Sequence, residues 1–169
     1  PREYSSAASD VYKRQVVIGP AAWKFNWSRN DYDQLAGALA AGHIIECGAQ
    51  ATGGNYSFFK EVPTFKDIGY PIAEINQDGS FIITKHPNTG GLVSVGTVTA
   101  QLLYEIGSPA YVNPDVISHF DTLKIEQEAE DRVFVSGCRG SSPPKDHKVC
   151  INLAGGFRNG TELLLTGLA

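Results

Sequence analysis

The hydrophobic pattern of the chain predicts a strand end followed by a helix in the first third. Residues 16–19 have the composition of a buried strand that runs into a Gly-Pro turn. Residues 28–48 then have helical spacing, with an N-cap at Asn30 or Asp31 and a break near Gly42. One face of this helix carries Tyr32, Leu35, Ala36, Leu39 and His43.

Alternating residues predict strands further along the chain. Residues 70–75 and 81–85 flank Asp78-Gly79, a dipeptide suited to a tight turn, and predict a β-hairpin. A second helix is predicted from Ser94 or Thr97 to Ile106. The strand-like segments of the last third are residues 116–127, 131–140, 147–156 and 161–167. We therefore predict an α/β layered domain with a mixed sheet and with antiparallel strands in its C-terminal third.

Charge and composition argue against several classes of function. The net charge is −4 and no basic block occurs, which argues against nucleic-acid binding. The three cysteines are widely spaced without a CxxC motif, so neither a metal site nor a disulfide framework is predicted. The apolar runs are too short to span a membrane. The expected location is the reducing cytoplasm, and the expected ligand is a small molecule.

Two Thr-Gly-Gly triplets are the clearest candidates for a binding site. Glycines at Gly53-Gly54 and Gly90-Gly91 would let main-chain N–H groups approach an anion, and the second pair precedes a predicted helix. The alternative is that these glycines only permit sharp turns. The predicted ligand-binding residues are Gln50, Thr52, Gly53, Gly54, Asn55, Lys85, Thr89, Gly90, Gly91 and Arg139.

No catalytic residue can be assigned from motifs alone. Glu46 is a candidate acid or base if it is buried. Cys47 follows a helix C-terminus, where the dipole does not favour a thiolate, so we interpret it as a packed small residue. Phe58, Phe59 and Phe65 would either line an apolar pocket or belong to an ordinary core.

The N-terminal residues have an unusual sequence. Residues 5–15 can be reverse-translated, codon for codon, into a string that resembles the transposase adapter of sequencing libraries. We interpret residues 1–15 as an adapter-derived, non-native tail and exclude them from fold reasoning. The chain also contains no methionine, so residues 16–169 are expected to be a fragment truncated at both ends.

Four segments in order resemble the N-terminal domain of the acyclic terpene utilisation family. They are GHIIECGAQATGGNYS, the block from GYPIAEINQDGSF through TKHPNTGGLV to TAQLLYEIGSP, then VSGCRG and LAGGFRN. The resemblance extends from about Val16 to Leu168 and corresponds to the later part of that domain. A preceding portion of the domain would supply parallel strands to the sheet.

The resemblance implies a role in the bacterial breakdown of acyclic terpenes such as citronellol and geraniol, and of branched acyl-CoA compounds. It implies an enzyme or enzyme component that acts on an anionic acyl or terpenoid intermediate, with CoA as an optional part of the substrate. The alternative is a non-catalytic binding or assembly subunit, as a homo-oligomer or together with pathway enzymes. The family supplies no list of catalytic residues, so the reaction stays unassigned.

Overall fold

The computed structural model describes residues 9–145, and it describes side chains from residue 16 onward. The helices are α1 (Ser9–Phe25), α2 (Tyr32–Ile45) and α3 (Val95–Leu102). The strands are β1 (Pro71–Ile75), β2 (Phe81–Lys85), β3 (Ala110–Val112), β4 (Ile117–His119), β5 (Lys124–Ala129), β6 (Arg132–Ser136) and β7 (Arg139–Ser141). Short 3₁₀ turns lie at Gly48–Gln50, Phe59–Glu61 and Phe120–Thr122.

The strands form two antiparallel sheets. The larger sheet has the order β1-β2-β6-β5, and the smaller sheet has the order β3-β4-β7. Every sheet pairing in the described residues is antiparallel, and a parallel contact occurs as an isolated bridge between Ile68 and Gly90. The combination of helices with antiparallel strands late in the chain confirms the predicted fold class.

Helix α2 lies at the centre of the molecule. All of its residues from Leu35 to Ile44 are buried, and it packs against α1, α3 and strands of both sheets. Alanine and glycine make most of this surface, so neighbouring backbones approach closely. At Gly37 a Cβ atom would overlap the carbonyl group of Gly79, in the turn between β1 and β2. The small residues therefore set how near the hairpin lies to α2.

The prediction of a strand at residues 16–19 is wrong, because these residues belong to α1. Ile18 and Ala21 are buried at helical spacing, with Ala22 and Phe25 packed against the same core, whereas Val16 is 68% exposed. A short apolar run cannot be assigned to strand or helix by periodicity alone. The Gly-Pro pair suggested a turn, but Pro20 lies inside the helix.

The other helix predictions differ from the structure at their ends. Helix α2 continues past Gly42 to Ile45, because buried packing outweighs the intrinsic cost of a helical glycine. Helix α3 begins after Ser94, whose side chain accepts a hydrogen bond from the N–H of Thr97, and it ends before Ile106. The three-residue strand β3 was not predicted from the sequence. The strands predicted over residues 147–156 and 161–167 lie outside the described residues.

The predicted hairpin is confirmed. Strands β1 and β2 are antiparallel, with Pro71 opposite Lys85 at one end and Ile75 opposite Phe81 at the other. Gly79 has a φ of +84° in the connecting turn. Asp78 accepts hydrogen bonds from the N–H and hydroxyl of Ser80, and these bonds lower the pKa of its carboxyl group. Within residues 9–145, no helix combines the length and the apolar character needed to cross a bilayer.

Candidate functional site

An apolar cavity of about 430 Å³ lies between α3 and the start of β5. Its walls come from the end of α3, the following loop, the 3₁₀ turn at Phe120–Thr122 and β5. The apolar lining residues are Leu102, Leu103, Ile106, Phe120, Leu123 and Ile125, whereas Thr99, Ser108 and Asp121 contribute polar groups. Leu102 is 4% exposed and Leu103 is 67% exposed, so the cavity extends from the core to the surface.

A buried polar cluster, made of His43, Glu46 and Gln101, lies at the end of α2. His43 is fully buried, and its Nδ1 atom lies 3.2 Å from Oε1 of Glu46, whose side chain is 2% exposed. The side chain of Gln101, on α3, is also fully buried and donates to the carbonyl oxygen of His43 over 3.4 Å. The spacing of three residues on one helix brings the imidazole and the carboxylate together.

Part of this cluster lacks a hydrogen-bond partner among the described residues. Both ring nitrogens of His43 and Oε1 of Gln101 are buried atoms of this kind, and so is Oε1 of Gln50 in the turn after α2. The 3.2 Å contact between Nδ1 of His43 and Glu46 does not have hydrogen-bond geometry. Buried polar atoms are nearly always hydrogen-bonded in folded proteins. A cluster of buried polar atoms without partners is therefore a place where the polar group of a ligand would supply the missing hydrogen bonds.

Phe120 connects the buried polar cluster to the cavity. Its ring centroid lies 5.6 Å from that of the His43 imidazole and 5.4 Å from the ring of Tyr111. Tyr111 itself lies 5.6 Å from His43, so two aromatic rings cover the imidazole. Since Phe120 also lines the cavity, a single side chain is shared by the apolar space and the surroundings of His43.

The two Thr-Gly-Gly loops are neighbours in the structure. The N–H of Leu92 donates to the carbonyl oxygen of Thr52 over 2.9 Å, and a Cβ atom at Gly91 would lie 2.7 Å from that oxygen. Gly90 and Gly91 donate to the carbonyl oxygens of Asp67 and Thr64 over 2.9 and 2.8 Å. A ligand could accept hydrogen bonds from these two N–H groups only if their internal hydrogen bonds were broken.

The N–H groups of the first glycine pair also donate to carbonyl oxygens within the protein. The N–H groups of Gly53 and Asn55 donate to the carbonyl oxygen of Gln50, both over 3.2 Å, and Gly54 donates to Ala49 over 3.0 Å. The hydroxyl of Thr52 donates to the carbonyl oxygens of Ala49 and Gly69. The glycines thus allow the two loops to pack closely together. Anion binding by these loops stays a prediction.

Lys85 holds the second loop in place. Its ammonium group lies 2.9 Å from Oδ2 of Asp131 and donates to the carbonyl oxygen of Thr89 over 2.9 Å. Oδ1 of Asp131 accepts the N–H of Val93 over 2.8 Å. The lysine side chain is 7% exposed, so the charge that the sequence suggested for an anionic ligand is already paired with a carboxylate.

Arg139 lies at a different site from the glycine loops. It lines a polar cleft of about 310 Å³ together with Asp33, Asp78, Ser80, Ser136 and Cys138. Burial, together with Asp33 and Asp121, raises the pKa of the Cys138 thiol to about 12. The thiol is therefore neutral at physiological pH and is not an activated nucleophile.

The structure brings together residues that no sequence motif connects. Glu46, proposed from sequence, is buried beside His43, which the sequence placed on a helix face without assigning it a function. The i and i+3 spacing of the two residues was the available signal. Gln101 and the lining of the cavity carried no motif. Phe58 and Phe59 are 65% and 57% exposed, so they do not belong to the core.

The fold and the cavity define a layered α/β protein with an apolar space of small-molecule size. Residues 14–169 match the family model described as "Acyclic terpene utilisation family protein AtuA". The match covers most of the chain, so the chain belongs to this family, and the resemblance seen in the sequence is confirmed. Residues 1–13 lie outside the match. No curated protein and no solved structure matches the chain significantly.

Proposed function

We propose that this chain is part of an enzyme, or enzyme component, that acts on a terpenoid or branched acyl intermediate. The observation that carries the proposal is the apolar cavity of about 430 Å³ whose wall, Phe120, also packs on the buried His43. Ligand pockets commonly combine an apolar lining with a few buried polar groups. Membership of the acyclic terpene utilisation family supports the choice of ligand class.

The carbon chain of the ligand would occupy the apolar cavity. Leucine and isoleucine side chains form most of its wall, and burial of a methylene group contributes about 0.8 kcal/mol. A branched chain of terpenoid length would therefore gain several kcal/mol before the costs of association are subtracted. The ligand would lie beside Leu103 and Ile106 at the open side and beside Phe120 at the inner end.

The polar head of the ligand would lie next to the buried polar cluster after rotation of Phe120. The imidazole of His43 could then exchange a proton with the substrate, with the Glu46 carboxylate 3.2 Å from Nδ1. A carboxylate head at the outer rim would lie near Asp121, and one at the inner end would lie near Glu46. Like charges therefore oppose an acid at either end, and an alcohol is expected to bind more tightly than the acid.

Calorimetric titration of the chain with citronellate and with citronellol tests the cavity. Leu103→Glu places a charge at the mouth of the cavity and is expected to weaken binding of both ligands at least tenfold. Val112→Glu is the matched control, because Val112 is 55% exposed and does not line the cavity. Equal affinity in the wild type and in Leu103→Glu, or no binding by the folded wild type, would contradict the proposal.

The second candidate is a non-catalytic binding or assembly subunit of the same pathway. The observation in its favour is a set of exposed aromatic side chains on one loop, Phe58, Phe59 and Phe65. Such groups are common where another protein binds. Product analysis after incubation with terpenoid and branched acyl-CoA compounds separates the two candidates. Binding without turnover in the wild type favours the subunit, whereas turnover that His43→Gln abolishes favours the enzyme.

A further inference from the structure

One face of the three-stranded sheet is turned away from α2. Gly140 of β7 lies so close to α2 that a Cβ atom there would overlap the carbonyl group of Tyr32. Its cross-strand partner Ser118 is fully buried. Because side chains alternate between the two faces of a strand, His119, Arg139 and Ser141 lie on the opposite face.

On this outer face a serine and a histidine are in hydrogen-bond contact. Oγ of Ser141 lies 3.0 Å from Nε2 of His119. Arg139 is the direct cross-strand partner of His119, so its Cβ atom lies on the same face as the imidazole. Arg139 also lines the polar cleft that contains Asp33 and Asp78. Arg139 is exposed, whereas His119 and Ser141 are half-buried, so the three groups can be reached from solvent.

We infer that Ser141 and His119 form a nucleophile–base pair that cleaves an ester or thioester, with Arg139 binding a carboxylate on the acyl part. None of these three residues lines the apolar cavity, and the inference does not depend on the function proposed for that cavity. The contact between a hydroxyl and Nε2 of an imidazole is the arrangement that activates a serine in acyl transfer. A guanidinium group is suited to bind a carboxylate through two hydrogen bonds.

The reaction would proceed in two steps. In the first step, Oγ of Ser141 forms a bond to the acyl carbon, Nε2 of His119 takes the hydroxyl proton, and the bond to the leaving alcohol or thiol breaks with return of that proton. In the second step, a water oxygen forms a bond to the acyl carbon, the bond between that carbon and Oγ breaks, and His119 transfers a proton from water to Oγ, which releases the free acid and restores Ser141. For the first transfer the neutral imidazole must carry its proton on Nδ1.

A fluorophosphonate probe tests the nucleophile directly. Attack by Oγ forms a phosphorus–oxygen bond and expels fluoride, so an activated serine becomes covalently labelled. Trypsin cleavage after Arg139 and Lys145 yields a peptide that contains Ser141 and its neighbour Ser142. Mass spectrometry is expected to find the label on Ser141 in the wild type and in the control Ser142→Ala, and to find none in Ser141→Ala.

His119→Gln separates an activated serine from a merely accessible one. Loss of the base is expected to slow labelling of Ser141 by about a hundredfold or more, and to slow hydrolysis of p-nitrophenyl acetate to the same extent. Arg139→Gln is expected to lower the ratio of kcat/KM for p-nitrophenyl hemisuccinate to kcat/KM for p-nitrophenyl acetate about fivefold, as for an exposed ion pair.

Three results would overturn the inference. They are the absence of labelling in the folded wild type, labelling that His119→Gln leaves unchanged, and a label on Ser142 instead of Ser141. Circular dichroism of each variant shows whether the fold is retained. Because the calorimetric titration above uses a different ligand and a different surface, failure of one site leaves the other test intact.

Discussion

For His43 and Glu46, both the burial and the strength of their interaction depend on the residues that surround them. The pair lies on one helix, three residues apart, and the sequence alone gives both residues as polar positions. The rings of Tyr111 and Phe120 pack against the imidazole and contribute to its burial. The same residues on an exposed helix would form a weak surface pair.

The Cys138 thiol is expected to be unreactive in the folded chain. Because its pKa is about 12, its thiolate fraction at pH 8 is about a thousandfold smaller than that of a thiol at the ordinary value of 9.0. Alkylation by iodoacetamide at pH 8, followed by mass spectrometry, should be far slower for Cys138 in the folded chain than in urea. Cys47, which is half-buried, serves as the internal comparison.

The same shift predicts how stability depends on pH. A raised pKa in the folded chain means that the unfolded chain releases the proton first, at about pH 9. The contribution of the protonated thiol to the free energy of unfolding is therefore fully present below pH 9 and is lost as the pH rises toward 12. Cys138→Ala should reduce this loss in urea unfolding measured across that range. Rapid alkylation of Cys138 in the folded chain would contradict both expectations.

Among the elements, α2 and the hairpin have the closest packing. Gly37→Ala is expected to destabilise the chain by about 1–3 kcal/mol, because the new Cβ atom overlaps the backbone of Gly79. This cost outweighs the roughly 1 kcal/mol by which alanine favours a helix. Urea unfolding followed by circular dichroism measures the change.

Gly107→Ala provides the control for this prediction. Gly107 has no atom within 4 Å of a Cβ atom and no positive φ, so the substitution should stabilise the chain by about 0.4–1 kcal/mol, because alanine lowers the conformational entropy of the unfolded chain. If both substitutions stabilised the chain, the close approach of the hairpin to α2 would be wrong.

Elements with strong periodicity could be predicted from sequence, and short elements could not. The β1–β2 hairpin has alternating residues and an Asp-Gly turn, and the structure contains it with the predicted strands almost unchanged. Strand β3 has three residues, which is too short for any period to show. The prediction for residues 16–19 was wrong for a related reason, because four apolar or small residues fit a strand and a buried helix turn equally well.

In the whole molecule, both candidate sites are formed by contacts between distant parts of the chain. The cavity is lined by residues from Thr99 to Ile125, and His43 reaches its wall from a helix more than fifty positions earlier. Ser141 and His119 meet because β4 and β7 pair, although 22 residues separate them. No motif in the sequence encodes such pairings. Conversely, the glycine triplets were visible as motifs, and their amides donate to internal carbonyl groups.

The most direct test of the central claim is to locate a bound terpenoid chain on the protein. Isotope-filtered NOE spectra of the labelled chain with unlabelled citronellate would report which side chains contact the ligand methyl groups. The account predicts contacts to Leu102, Leu103, Ile106 and Leu123, with Phe120 shifted. Contacts confined to the loops around Gly53 and Gly90, or to Phe58 and Phe65, would contradict it.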